Sequence, residues 1–365
     1  MKKTRVLVDY RMYKHSGIGV YLTNVIGYLQ SGSSFSLSLA ATSEFGDVAQ
    51  VVLKSPIYSL KEQLEYSIRI PKTDLFWSPH YNVPVLPIRA AKRVVTIHDV
   101  YHLAFSDTLS TFQKAYARIM MNRAVQLSDA IITVSEFSRQ EIIKYTNCDP
   151  AKITVISNGV KQETVVLDSS SVRKRYQIPV GPYILFVGNV KPHKNLLTLL
   201  KAFRALPEDL YHSHSVVIVG KKEGMITGDA ELYKLINEDS MLSERVHFTG
   251  IVDDGDLDTI YANAALFAFP SYYEGFGLPP LEAMANGCPV VSSNASSLPE
   301  VCGDAALYFD PMDVAALVKA MVSVLKDPDV AQSLKEKGYT RVKEFTWERA
   351  AALHNALFER LLKEI

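Results

Sequence analysis

The chain has 365 residues, 48% of them apolar, with 39 Lys and Arg balanced by 39 Asp and Glu. That length suits two domains, each able to bury its own core. Cys148, Cys288 and Cys302 are too few and too scattered for a disulfide framework or a zinc site, and they suit a reducing cytoplasm. No run reaches the roughly 18 apolar residues of a spanning helix. The N-terminal Met-Lys-Lys-Thr-Arg resembles the start of a signal peptide, but Asp9 and Arg11 interrupt the apolar stretch that would have to follow.

Charge is uneven along the chain. Residues 1–178 carry 22 Lys and Arg against 14 Asp and Glu, leaving 17 against 25 in the remainder. A basic first half and an acidic second half attract each other. Solvated surface charge and a peripheral contact with an anionic membrane or a phosphorylated acceptor both stay open for the basic half.

In chain order, short β-branched runs alternate with amphipathic helical stretches. Buried strands are expected at 6–8, 94–97, 130–134 and 154–156 in the first half. Further strands are expected at 183–187, 215–219, 246–249, 266–269 and 289–291 in the second. Near-continuous apolar strands separated by helices predict two α/β sandwiches with parallel sheets. Ligands of such sheets bind at the carboxyl ends of the strands. Ser16-Gly-Ile-Gly19 lies between the first strand and a helix at 20–29. A dinucleotide fingerprint needs a third glycine where Leu22 stands, so NAD is disfavoured.

Ser78-Pro-His-Tyr-Asn-Val-Pro84 is aromatic and turn-rich; His80, Tyr81 and Asn82 suit an acceptor side or an ordinary loop. Thr96-Ile-His-Asp99 ends a strand on a polar pair, with His98 able to bond a hydroxyl and Asp99 to orient the imidazole. The helix at 112–125 is amphipathic and basic, which fits packing on its own sheet better than a membrane surface. Gln177-Ile-Pro-Val-Gly-Pro182 reads as the boundary between domains 1–178 and 179–346.

The second half carries the densest chemistry. Lys191-Pro-His-Lys194 follows the strand at 183–187, with Asn195 expected to cap the next helix. A lysine ahead of a helix start adds a full charge to the dipole and suits a diphosphate. Asp254-Gly-Asp256 imitates a metal motif but reads as a helix N-terminus, so no essential metal is expected. Glu274-Gly-Phe-Gly-Leu-Pro-Pro-Leu-Glu282 follows an apolar strand. Pro279 and Pro280 suit the first helical positions, Gly287 the residue past the helix end, and Glu282 the first turn. A carboxylate beside the loop, a carboxylate on the helix and close-approach glycines fit a phosphorylated ligand rich in hydroxyls, a nucleotide sugar.

Glu274 to Glu282, with the following Ala283-Met-Ala-Asn-Gly-Cys-Pro-Val-Val291, resembles the Glu-x7-Glu signature of retaining GT4-type glycosyltransferases of the two-domain GT-B fold. Several ordered motifs extend the resemblance over nearly the whole chain. It implies two Rossmann-like domains facing across a cleft, with the helix at 347–365 crossing back onto the first. It implies His98 and Glu274 as catalytic-site residues around the donor sugar. Donor contacts fall to Gly17, Gly19, Asn189, Lys194, Phe276, Gly277 and Leu278, and the ribose contact to Glu282. The chain departs from the usual pattern at His193, where Arg is common, and at Asn189, where relatives carry Arg or Thr. The implied reaction moves a hexose from a nucleoside diphosphate sugar, GDP-mannose by likeness to O-antigen mannosyltransferases, to a glycan or lipid-linked acceptor. UDP-glucose remains the rival donor. A sugar-binding protein without catalysis, a phosphorylase and a nucleotide-sugar epimerase remain rival functions. No cofactor and no nucleic-acid partner are expected; the location is cytoplasmic, with the inner membrane face left open.

Overall fold

The computed structural model describes residues 4–15, 17–43, 50–105, 109–220 and 230–365. It divides into two units, Met1–Gly159 with Trp347–Ile365, and Val160–Thr346. The first contains β1 (Arg5–Asp9), β2 (Ser36–Ala41), β3 (Gln50–Val52), β4 (Thr73–Ser78), β5 (Ala90–Thr96), β6 (Ala130–Thr133) and β7 (Ile153–Val155). Its seven parallel strands run in the order β3-β2-β1-β4-β5-β6-β7. The second contains β8 (Tyr183–Val187), β9 (Ser215–Val219), β10 (Val246–Gly250), β11 (Leu266–Phe269), β12 (Val290–Ser293) and β13 (Ala306–Phe309). Its six parallel strands run β10-β9-β8-β11-β12-β13.

Central strands such as Val6-Leu-Val8 and Ile184-Leu-Phe186 are buried throughout, as a sheet covered on both faces requires. In each unit the strand order reverses once, between β1 and β4 and between β8 and β11. The carboxyl ends of these two pairs are where an open α/β sheet leaves a crevice. Among the described residues no helix is long and apolar enough to cross a membrane.

The division at 159/160 corrects the boundary expected at 178/179. Residues 160–178 belong to the second unit because their polar groups bond to its helix Asp254–Ala262. Lys161 Nζ pairs with Asp258 Oδ2 at 2.8 Å, the Leu167 N–H donates to Thr259 Oγ1 at 2.8 Å, and Tyr176 OH donates to Asp256 Oδ2 at 2.8 Å. Arg175 also bonds Asp256. That carboxylate therefore ties the helix Ser169–Arg175 down, and Asp254 and Asp256 occupy a helical first turn. The C-terminal helix Trp347–Leu362 packs on helix Ile18–Gly32 within the first unit.

Candidate active site

In the second unit, the loops after β8 and β11 meet at the reversal point. Residues Pro192–Lys194 form one 3-10 turn, and the Lys194 Nζ reaches the Glu274 Oε1 at 2.6 Å. Both side chains are mostly shielded, at 18% and 12% exposed, so the pair is weakly screened. The ammonium also lies 5.3 Å from the Phe269 ring centroid at the end of β11. Asn189, just after Gly188, is half-buried.

Asn195 corrects one expectation. It sits at the N-cap of helix Leu196–Arg204 in a left-handed conformation (φ 56°) and its side chain caps nothing. Its amide instead donates to the carbonyls of Pro270 at 3.1 Å and Pro311 at 2.7 Å. Asn195 thereby clamps the start of the Glu274 loop to the Lys194 turn, and the Tyr272 N–H to His193 carbonyl bond of 3.0 Å adds a second tie.

The loop itself is fixed from one side by two serines. Ser296 Oγ accepts the Glu274 N–H at 3.0 Å, and Ser297 Oγ–H bonds the carbonyls of Glu274 (3.0 Å) and Phe276 (2.7 Å). The Phe276 ring is buried edge-on against Phe345, so only its backbone is available to a ligand. Gly277 holds φ 105°, a conformation L side chains avoid, and a Cβ there would come 2.7 Å from Leu298. Helix Leu278–Ala285 follows with no side-chain cap, Pro279 and Pro280 in its first turn and Gly287 in a left-handed conformation after its end.

Glu282 falls on the second turn of that helix, not the first, because the helix begins at Leu278. Its Oε2 accepts the Tyr261 hydroxyl at 3.0 Å. Burial raises the carboxyl above the usual range, and the nearby Asp254 and Asp258 charges act the same way.

The first unit presents a different set. Ser16 lies outside the described residues. Gly17 is left-handed (φ 74°) at the start of helix Ile18–Gly32. Gly19 needs to be glycine because a Cβ would overlap the Tyr13 carbonyl oxygen. His98, just past β5, places Nε2 3.0 Å from the Pro79 carbonyl and its ring edge-on to Tyr21 at 4.9 Å. Burial lowers its pKa, so the imidazole is neutral at pH 7. A carbonyl only accepts, so Nε2 carries the proton and Nδ1 keeps the lone pair. Asp99 does not act as the expected orienting partner: its Oδ1 accepts the Tyr101 N–H at 2.9 Å, and the His98 Nε2 is held by Pro79.

Sequence reasoning missed the support behind His98. The His354 Nδ1 lies 2.7 Å from the Ala350 carbonyl and must be protonated, so Nε2 accepts the Tyr21 hydroxyl at 2.6 Å. Tyr21 then accepts from Thr96 Oγ1 at 3.0 Å, which accepts the Trp77 Nε1–H at 2.9 Å. Every donor in this buried chain is used once. No local signal links residues 333 positions apart.

Of the acceptor-side group, Tyr81 belongs to the apolar core and the Asn82 carboxamide is consumed internally. Its amide donates to Glu62 at 2.8 Å, and its oxygen accepts the Tyr116 hydroxyl at 3.0 Å. His80 borders a small recess with Asp9, Arg11, Ile57, Ser78 and Pro79, and burial drives its pKa down to about 3. In its wall, Arg11 is held by Asp9 at 2.7 Å, by Glu62 at 3.0 Å and by Tyr66.

Comparison with known proteins matches these two units to two family descriptions. Residues 169–341 match "Glycosyl transferases group 1", and residues 53–164 match "Glycosyltransferase Family 4". O-antigen chain mannosyltransferase B of Escherichia coli is 32% identical over 78% of this chain and 73% of its own. The serotype-specific mannosyltransferase WbdA of Escherichia coli is 31% identical over 82% of this chain, which spans 35% of that protein. Sucrose-phosphate synthase from Thermosynechococcus elongatus has the same fold, with a TM-score of 0.79 over both whole chains at 19% identity. The chain belongs to the group 1, family 4 glycosyltransferases and is a hexosyltransferase with two Rossmann-like domains of the GT-B type.

Proposed function

We propose that the protein transfers mannose from GDP-mannose to a hydroxyl of a lipid-linked glycan in O-antigen-type polysaccharide synthesis, with retention at the anomeric carbon. The observation that carries the reading is the Lys194–Glu274 pair at the β8/β11 reversal point, followed by Glu282 on the next helix. The named activities of the Escherichia coli relatives support mannose as the sugar.

In this reading Glu274 exchanges its ion pair for the hexose hydroxyls, and the freed Lys194 ammonium meets the diphosphate. The Glu282 carboxyl, with Oε2 already fixed by Tyr261, offers Oε1 to the ribose. Backbone N–H groups at Gly277 and Leu278 approach the donor, and Asn189 supplies a neutral carboxamide. In the first unit, the turn at Gly17 and Gly19 allows close approach, and His98 offers a lone pair at Nδ1 to a hydroxyl.

The anomeric C–O bond to the diphosphate breaks as the acceptor oxygen bonds to the same face. The acceptor proton leaves on a phosphate oxygen, and GDP departs. Lys194 stabilises the charge that grows on this leaving group, a role worth about 10²–10³ in rate for one well-placed donor. We assign no metal to the step, since Lys194 supplies cationic charge; turnover is expected to persist in EDTA. The free cysteines suit the cytoplasm, and a lipid-linked acceptor calls for peripheral contact with its membrane.

Thermal unfolding with GDP, UDP and ADP and their hexose conjugates tests the reading. A ligand at 100-fold its Kd stabilises by about 2.7 kcal/mol. Stabilisation by GDP and GDP-mannose is expected. A response to UDP alone would replace the donor, and no nucleotide response would favour a sugar-binding protein.

A further inference from the structure

Helix Leu60–Arg69 is amphipathic in the inverse sense. Its buried residues are Glu62 and Tyr66, which face Arg11 and Asp9. Its aliphatic stripe faces outward: Leu60, Leu64 and Ile68, at i, i+4 and i+8, are 89%, 59% and 78% exposed. A helix on a sheet ordinarily turns such a stripe to the core. Here the core-facing positions are taken by the charged network, so the stripe has no partner among the described residues of this unit.

The surroundings of the stripe are cationic. Lys54, Lys61 and Lys72 are exposed and make no ion pair with a described residue. The helix's other acid, Glu65, is mostly shielded and is consumed by the Lys54 and Ser55 N–H groups and by Arg69 at 3.1 Å. The apolar surface continues past the helix start. Tyr58, 45% exposed, meets the Tyr116 ring, and Phe112, one turn earlier on that neighbouring helix, is 79% exposed. The sequence of the whole unit holds 21 Lys and Arg against 15 Asp and Glu, whereas the other unit holds 18 against 24.

We infer that helix Leu60–Arg69 lies in the interface of an anionic phospholipid bilayer, with Leu60, Leu64 and Ile68 among the acyl chains and Lys54, Lys61 and Lys72 on lipid phosphates. An apolar stripe bordered by free lysines is the pattern of an interfacial helix, whose binding adds apolar burial to attraction by anionic lipid. A second copy of this chain fits less well, because a two-fold contact would set the same uncompensated lysines against themselves. The inference deepens the lipid-linked part of the proposed function but rests on the helix, not on the transfer chemistry.

The test is flotation of the full chain with phosphatidylglycerol–phosphatidylethanolamine vesicles and with phosphatidylcholine vesicles. Binding to the anionic vesicles alone is expected, weakened by salt, with a tenfold or greater loss in the Leu64→Asp/Ile68→Asp variant. That variant should keep the wild-type Tm and nucleotide affinity, because both side chains are exposed. Leu64→Trp should shift its emission to the blue on anionic vesicles. Equal binding by the Asp variant, or none by the wild type, would overturn the inference. So would a dimer in light scattering that the Asp variant dissociates, which would assign the stripe to a second copy. Failure of nucleotide binding would reject the transferase reading without touching the vesicle result.

Discussion

The two units place charged side chains at the same topological position and use them differently. At the carboxyl end of β1, Arg11 spends its guanidinium on Asp9, Glu62 and Tyr66, so the network is closed. At the carboxyl ends of β8 and β11, Lys194 and Glu274 make one ion pair among the described residues and leave further valences open. An arginine bidentate to one carboxylate and bonded to two further groups is part of the scaffold, whereas a lysine on a flexible stem can leave its carboxylate for a phosphate. Equal charge and similar position therefore do not imply equal function; the count of satisfied bonds separates them.

Breaking the closed network should cost the most. Arg11→Ala leaves Asp9 and Glu62 buried without their cation, and a loss of about 3–5 kcal/mol is expected in urea unfolding. Lys194→Ala should do the opposite: little change in Tm, but a fall of about 10²–10³ in kcat, read as GDP release. A large stability loss in Lys194→Ala would erase the contrast between the two sites.

Acid should also act on the first unit. His354 is fully buried, and burial lowers its pKa to about 4, while His98 moves in the same direction. The unfolded chain then binds more protons than the folded one below about pH 6.5, so stability rises with pH through this window. The His354 contribution is complete above pH 6.5 and lost progressively down to about pH 4, about 3 kcal/mol in all. His354→Gln should flatten this part of the stability–pH curve. Smaller again is Tyr21→Phe, which leaves His354 Nε2 without its donor: a cost of about 1–3 kcal/mol, measured by the shift in urea midpoint, is expected.

What the sequence disclosed follows the same division. The loop at 274–282 was legible because its parts are contiguous: strand, glycines, two prolines and a closing Gly287 within a few turns. Nine strands were legible as β-branched or aromatic runs. Four were not: β2 alternates Ser and Leu, β3 is a three-residue edge, β4 mixes Asp with Phe and Trp, and β13 is short and ends aromatic. Asp9 and Arg11 read only as interruptions, because Glu62 and Tyr66 lie 51 and 55 residues from Arg11. Asn82 and Tyr81 suited an acceptor side as well as an ordinary loop because a polar, aromatic loop gives no sign that the core has already claimed it. Residues 160–178 were assigned to the wrong side because their bonds to Asp256 and Asp258 span 80 or more positions.

Calorimetric titration of GDP and of GDP-mannose into the Glu274→Gln and Glu282→Gln variants tests the central claim most directly. If Glu274 holds the hexose and Glu282 the ribose, Glu274→Gln loses the affinity added by mannose and keeps that for GDP. Glu282→Gln then weakens both ligands. Wild-type affinity for both ligands in both variants would contradict the account.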